Sequence, residues 1–236
     1  MRAIYKREMR SYFTSPIGYI FIAVFLAMSG ILFSLFTFFS GTSDTSSYFL
    51  VLLFVFVIVI PLLTMKLLSE ERKLKTEQIL LTSPVSLSGI VLAKFFAAFT
   101  MFGATFLLSE LLHFLFLAPF AASLSMGKII GNVIGILLIG GAFIAIGLFL
   151  SSLTESQIVA AISTIGVILF MVLLSALAGR IGSDVLRVSV KWLAIMSRFS
   201  PFTAGIFDLS AILYYISLAV VFLFLTIRVY EKRRWS

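Results

Sequence analysis

The chain has 236 residues, 61% of them hydrophobic and only 12% charged, with a mean hydropathy of +1.17 and a formal net charge of +8. A soluble domain is closer to roughly half apolar and about a quarter charged, so this composition argues against a water-soluble enzyme, and too few polar residues remain to build a nucleic-acid-binding face. The lack of cysteine removes disulfide and zinc–thiolate frameworks, and the single histidine, His113, removes a multi-histidine metal site.

In chain order, residues 2–13 (RAIYKREMRSYF) come first. At helical spacing Tyr5, Met9 and Tyr12 gather on one side and Arg2, Lys6, Arg7 and Arg10 on another, which predicts an amphipathic helix on an anionic membrane surface. Six stretches then reach the roughly 20 apolar residues needed to cross a hydrocarbon core of about 30 Å: 17–39, 48–65, 90–117, 129–150, 158–178 and 209–227. The first is too long for the apolar part of a signal peptide and lacks a small-residue cleavage site, so it reads as a span. Pro16, Pro84, Pro119 and Pro201 fall at edges or in connections, whereas Pro61 lies near the end of the second span and should kink it. The expected fold class is an all-α integral membrane protein of six transmembrane helices, in one domain over 1–236.

Orientation follows from the basic residues. With the N-terminus in the cytoplasm, that side receives Arg2, Lys6, Arg7, Arg10, Lys66, Arg72, Lys73, Lys75, Lys94, Arg228, Lys232, Arg233 and Arg234. The other side receives Lys128, Arg180, Arg187, Lys191 and Arg198. Thirteen against five is a positive-inside asymmetry that places both termini in the cytoplasm.

Residues 66–89 stand out as a cytoplasmic loop with both charges and an apolar knob. Glu71 and Lys75 stand at i,i+4, Lys73 and Glu77 pair in the reverse order, and Ile79, Leu80 and Leu81 follow before Ser83-Pro84. A charged helical stretch ending in an apolar cluster, anchored at both ends by spans, suits docking on a cytoplasmic partner. The run Ser69-Glu70-Glu71-Arg72-Lys73, then Thr76-Glu77, then Leu80-Leu81-Thr82-Ser83-Pro84-Val85-Ser86 and Lys94 resembles the loop motif of ABC-2 type transporter permeases. The start KREMRSYFTSPIGYIF and the end SPFTAGIFDLSAILYYISLAVVFLFLTIRVYEKRRW are similar to the gliding-motility-associated or nitrous-oxide-related subgroup. The resemblance spans essentially the whole chain. It implies that the loop carries a coupling helix seated in a groove of a separate ATPase subunit. Carried over by position, Glu70, Glu71, Arg72 and Glu77 would make polar contacts with that subunit, and Thr76, Ile79 and Leu80 would pack into its cleft. No G-x-x-x-x-G-K-[ST] occurs anywhere in the sequence, so ATP and Mg are expected on the partner and no cofactor and no catalytic activity in this chain.

Within the spans, Glu110 and His113 are the one ionisable pair, at i,i+3 on one face and about 10 Å from the outer end of their helix. A gating hydrogen bond or a substrate-exit contact suits them better than a proton relay, which would need further carboxylates at depth. A glutamate-based intramembrane protease needs its carboxylates and histidine together inside the bilayer, whereas Glu70 and Glu71 sit in the cytoplasmic loop and His113 lies near the opposite side. The fourth span carries Gly127, Gly131 and Gly135, then Gly140, Gly141 and Gly147, a small-residue face suited to packing inside the bundle, with Asn132 offering a polar contact. The short turn at Thr154-Glu155-Ser156 could brush the same partner. Residues 179–208 are too polar to span. They predict an interfacial segment, with a helix over 185–198 and Trp192, Ile195, Met196, Phe199 and Phe202 at headgroup level, and the resemblance to ABC-2 permeases implies short re-entrant helices here, capping the outer end of the pathway.

These readings converge on a permease subunit of an ATP-driven exporter in a prokaryotic inner membrane. It would be paired with itself or a similar permease, with a cytoplasmic ATPase and membrane lipids as partners and no nucleic acid. The alternatives from other classes are a secondary transporter or ion-coupled channel, which usually shows inverted repeats absent here, and a membrane scaffold that recruits a cytoplasmic protein.

Overall fold

The computed structural model describes residues 1–41, 44–78, 85–119, 125–178 and 194–234. Its helices are α1 (Arg2–Thr14), α2 (Pro16–Phe33, continued by a π turn at Ser34–Phe38), α3 (Ser46–Thr64), α4 (Lys66–Lys73), α5 (Leu87–Leu117), α6 (Met126–Leu153), α7 (Gln157–Ala178), α8 (Ser200–Thr203) and α9 (Leu209–Arg234). No strand occurs among the described residues. Six helical stretches are long and apolar enough to cross a membrane, α2, α3 with α4, α5, α6, α7 and α9, and the protein is an all-α integral membrane protein.

Burial sorts these helices into two groups. In α3, α5 and α6 about two thirds of the apolar window is buried within the chain, against 22–28% in α2, α7 and α9. The first three form the core and the others turn most of their apolar surface outward, as lipid-facing helices do. The central helix is α6, which packs against α3, α4, α5, α7, α8 and α9. Its glycines make this possible. A Cβ on Gly140 would collide with the Phe102 ring of α5, and one on Gly147 with the Thr64 side chain of α3.

The other glycine row meets a partner that is not a spanning helix. A Cβ on Gly131 would lie 2.7 Å from the Phe202 carbonyl oxygen, and one on Gly135 2.7 Å from the Phe199 ring. These glycines therefore form a slot for Phe199 and the short helix α8, which follow the 3₁₀ turn Ile195–Arg198. Phe199 and Phe202 are fully buried against it, and Ile195, in the turn that packs on α7, is fully buried as well. In place of the expected headgroup contacts, these three side chains pack within the chain. Tyr215 of α9 donates to the Ile195 carbonyl at 2.8 Å and the Met196 amide to Ser175 of α7 at 3.1 Å, so this segment is tied to two spans. Most of the helix expected over 185–198, with Trp192, lies outside the described residues.

The second span does not stop at Met65. Its helix runs on as α4, and Lys66, Leu67, Leu68 and Ser69 are buried, so the first part of the 66–89 segment is packed structure rather than free loop. Four residues after Pro61 the helix is interrupted at Met65 only. There Ser151 of α6 accepts from the Leu68 and Ser69 amides at 3.2 and 3.1 Å and donates to the Met65 carbonyl at 3.0 Å. A proline removes one helical hydrogen bond upstream, and a hydroxyl from the neighbouring helix supports the turn downstream.

The glycine slot gives a direct test. Gly131→Ala should lower stability by about 1–3 kcal/mol, because the methyl meets backbone that cannot swing away. Gly127→Ala, whose Cβ has no atom within 4 Å, should leave it unchanged or raise it. Thermal unfolding of the solubilised protein reads both.

Candidate functional site

The end of the bundle that carries both chain termini is organised by charge. Lys94 lies eight residues into α5, whose 31 residues extend about 46 Å, well beyond a hydrocarbon core of about 30 Å. The Lys94 residue is only 1% exposed. Its Nζ donates to Glu8 of α1 at 3.1 Å, makes an ion pair with Glu71 of α4 at 3.0 Å, and donates to the Leu67 carbonyl at 2.7 Å. Two of the three ammonium donors are used in hydrogen bonds, and the charge also faces Glu71. Arg7 closes the cluster from α1, reaching Glu8 at 2.7 Å and Glu71 at 2.5 Å. Two cations face two carboxylates from three different helices, and this balance makes the burial of Lys94 and Glu8 tolerable, while Arg7 stays half in solvent.

Glu8 shows how the balance is struck. Burial alone would raise its carboxyl, but the charges and hydrogen bonds of Lys94 and Arg7 outweigh burial and hold it below the ordinary glutamate value. Around it α1 is seated by further contacts: Tyr12 donates to the Leu63 carbonyl at 3.2 Å, Lys66 to the Ser15 hydroxyl at 2.9 Å, and Tyr5 to the Thr100 hydroxyl at 3.1 Å. The amphipathic reading of α1 places Tyr5, Met9 and Tyr12 on the packed side, and the structure adds Ile4 and Glu8 to it. Arg7 stays exposed with Arg2, Lys6 and Arg10, and its guanidinium also reaches back to the two carboxylates. Lys94, counted in sequence as one more basic flank, is the most deeply buried cation among the described residues.

The remaining residues expected at a partner contact are tied into the same end. Arg72 donates to the Leu153 carbonyl at 2.9 Å and pairs with Glu155 at 3.0 Å, linking α4 to the α6–α7 turn. Glu77 is buried and pairs with Arg233 of α9 at 2.9 Å, and Arg233 also donates to the Ser152 carbonyl. Thr76 donates to the Glu71 carbonyl at 3.3 Å, and Glu70 is half-buried. The expected Glu71–Lys75 and Lys73–Glu77 pairs give way to these partners, because α4 ends at Lys73 and Lys75 takes a left-handed conformation with φ +57°. Ile79 and Leu80 lie outside the described residues.

What this end presents outward is the crest Lys73–Thr76, with Leu74 62% exposed. Beside it a groove of about 450 Å³ is lined by Lys73, Glu155, Ser156, Gln157 and Ile158. Leu74 was not legible as a contact residue because its neighbours in sequence are charged and it belongs to no apolar run. Lys94, Glu8, Ser151 and Arg233 escaped for another reason: each is meaningful only through a partner far away in the chain.

At the opposite end Tyr48 of α3 donates to Glu110 at 2.6 Å, and Glu110 approaches His113 Nδ1 at 3.8 Å. His113 stacks on Phe33 with centroids 4.3 Å apart and planes 3° apart, and Tyr48 meets its edge at 5.3 Å. The pair expected on one helix face is thus brought together with α2 and α3. One turn deeper, the hydroxyls of Ser29 and Ser109 lie 2.7 Å apart and pin α2 to α5. No group of three or more metal-ligating side chains occurs among the described residues.

Lys94→Met should cost about 3–5 kcal/mol, since it leaves Glu8 and Glu71 with the half-exposed Arg7 as their counter-charge, while the triple change Lys94→Met, Glu8→Gln and Glu71→Gln should recover most of that loss. Because the folded value of Glu8 is depressed, its contribution is present above the ordinary value of 4.5 and is lost as pH falls below it. Proteolysis within α1 should therefore rise on acidification below that value, and it should not do so in Glu8→Gln.

A family model described as ABC-2 family transporter protein matches residues 2–235. Among curated proteins none matches the chain.

Proposed function

The chain belongs to the ABC-2 family of transporter proteins and is a membrane subunit of that class of transporter, and from this premise we propose that it works as a dimer, with itself or a similar permease, as the pathway of an exporter driven by a separate cytoplasmic ATPase. The observation that carries this reading is the stitched end of the bundle. A short exposed crest, Lys73–Thr76, rises from a segment tied by ion pairs and hydrogen bonds to α1, α5, α9 and the α6–α7 turn. A surface fixed to so many helices is suited to receive force from a partner and distribute it.

In this reading Leu74 and Thr76, with Ile79 and Leu80 beyond the described segment, enter the ATPase cleft. Glu70 and Arg72 make the polar contacts at its rim, and Glu71 and Glu77 hold the crest to the bundle. The excess of basic residues at this end supports a reading in which it lies, with both termini, in the cytoplasm of a prokaryotic cell and the protein in the inner membrane. ATP and Mg bind the partner, whose closure moves α4 and, through Lys94 and Arg233, α1, α5 and α9. The spans then shift between two packed states that open the pathway to opposite sides. Glu110 and His113, at the far end, serve that pathway or its gate.

Leu74→Asp and Leu80→Asp should each reduce co-purification of the ATPase at least tenfold while leaving thermal unfolding of the permease unchanged. Retention of an ATPase whose hydrolysis is still coupled to transport would overturn the docking assignment.

A further inference from the structure

Where α2 meets α5, towards the end of the bundle away from the termini, a cavity of about 280 Å³ is lined by Gly30, Phe33, Ser34, Phe38, His113 and Phe116. Phe38 and Phe116 are 49% and 66% exposed, so the cavity is entered from the outer, lipid-facing side of the bundle. Here α2 leaves α-helical geometry for the π turn Ser34–Phe38, a distortion that often marks functional sites.

Behind this cavity lies a second, smaller one of about 20 Å³, lined in part by Tyr48, Glu110, Phe33 and His113. Phe33 and His113 line both, so their parallel stack is the partition between the two. His113 is nine-tenths buried and its Nδ1 has no hydrogen-bond partner. Glu110 accepts from Tyr48 at 2.6 Å. Among the described residues no lysine or arginine pairs with it, and the nearest basic atom is His113 Nδ1 at 3.8 Å. A carboxylate enclosed by aromatic rings without a full counter-charge is costly, and that cost falls when a cation arrives.

We propose that this crevice is a binding site for lipophilic cations entering from the bilayer. Phe33, Phe38 and Phe116 supply ring faces for the apolar and cationic parts of the ligand, and Glu110, through the His113 partition, supplies the charge that selects its sign. An anion of the same shape meets only the carboxylate and is rejected. The inference deepens the reading of Glu110 and His113 as pathway residues, and it rests on that reading only for transport of the bound cation.

The test measures equilibrium binding of radiolabelled tetraphenylphosphonium to the full chain in uncharged dodecyl maltoside micelles. Tetraphenylborate, of the same shape and opposite charge, serves as the competitor. Saturable binding is expected, displaced by unlabelled tetraphenylphosphonium and not by tetraphenylborate. Glu110→Gln should weaken it at least tenfold. Gly30→Leu should do the same by filling the cavity, and since a Cβ at Gly30 has no atom within 4 Å its thermal unfolding should match that of the unaltered chain. Absence of saturable binding, equal displacement by tetraphenylborate, or unchanged affinity in either variant would overturn the site. ATP-driven movement of the same cation, assayed on the assembled complex, tests the pathway reading separately: binding without transport removes that reading and leaves the site standing.

Discussion

Lys94 can be buried only because three acceptors converge on it. Two of them, Glu8 and Glu71, come from helices separated from α5 in sequence, and the third is a carbonyl of the interrupted α3–α4 helix. Remove any one and a charge or a donor is left in a place water reaches poorly, which is more costly than never having built the cluster. The position of α1 along α5, the angle at which α4 leaves α3 and the placement of the crest are therefore a single solution. Each is set by the need to complete the same coordination of one ammonium.

The opposite constraint operates at α6. Charge fixes the helices at one end, whereas in the centre it is the absence of side chains that does so. Gly131 and Gly135 admit the segment before α9, and Gly140 and Gly147 admit α5 and α3. Close backbone approach raises packing density where apolar surface alone gives little drive, since lipid is as apolar as leucine. The bundle thus combines a directional polar lock at one end with a shape lock through the middle. It leaves α2, α7 and α9 comparatively free to face lipid or a second chain.

Much of this was legible in the sequence. Six apolar stretches at bilayer length correspond to helices, because that signal is local and needs no partner. The amphipathic N-terminal helix and the glycine face of α6 were legible for the same reason. The register of charges was not. Lys94 looks like a flank at the start of a span, and Glu8 is a lone acid among bases. Their meaning lies in a contact across 86 positions that no periodicity reports. The residues 195–202 misled in the other direction. Aromatic residues in a short polar segment read as membrane-surface anchors, but the glycine slot that buries them is on another helix.

The lock at Lys94 also has an order of assembly built into it. Glu8 and Glu71 both precede Lys94 in the chain, so neither carboxylate can find its ammonium while only the first two spans have been synthesised. Until α5 emerges, Arg7 is the cation that α1 can offer Glu71, and the second counter-charge is missing. Completion of the third span supplies the cation, withdraws both carboxylates from solvent at once and fixes the crest in place. The exposed crest Lys73–Thr76 thus gains its full set of ties only after half of the membrane-spanning helices are in place.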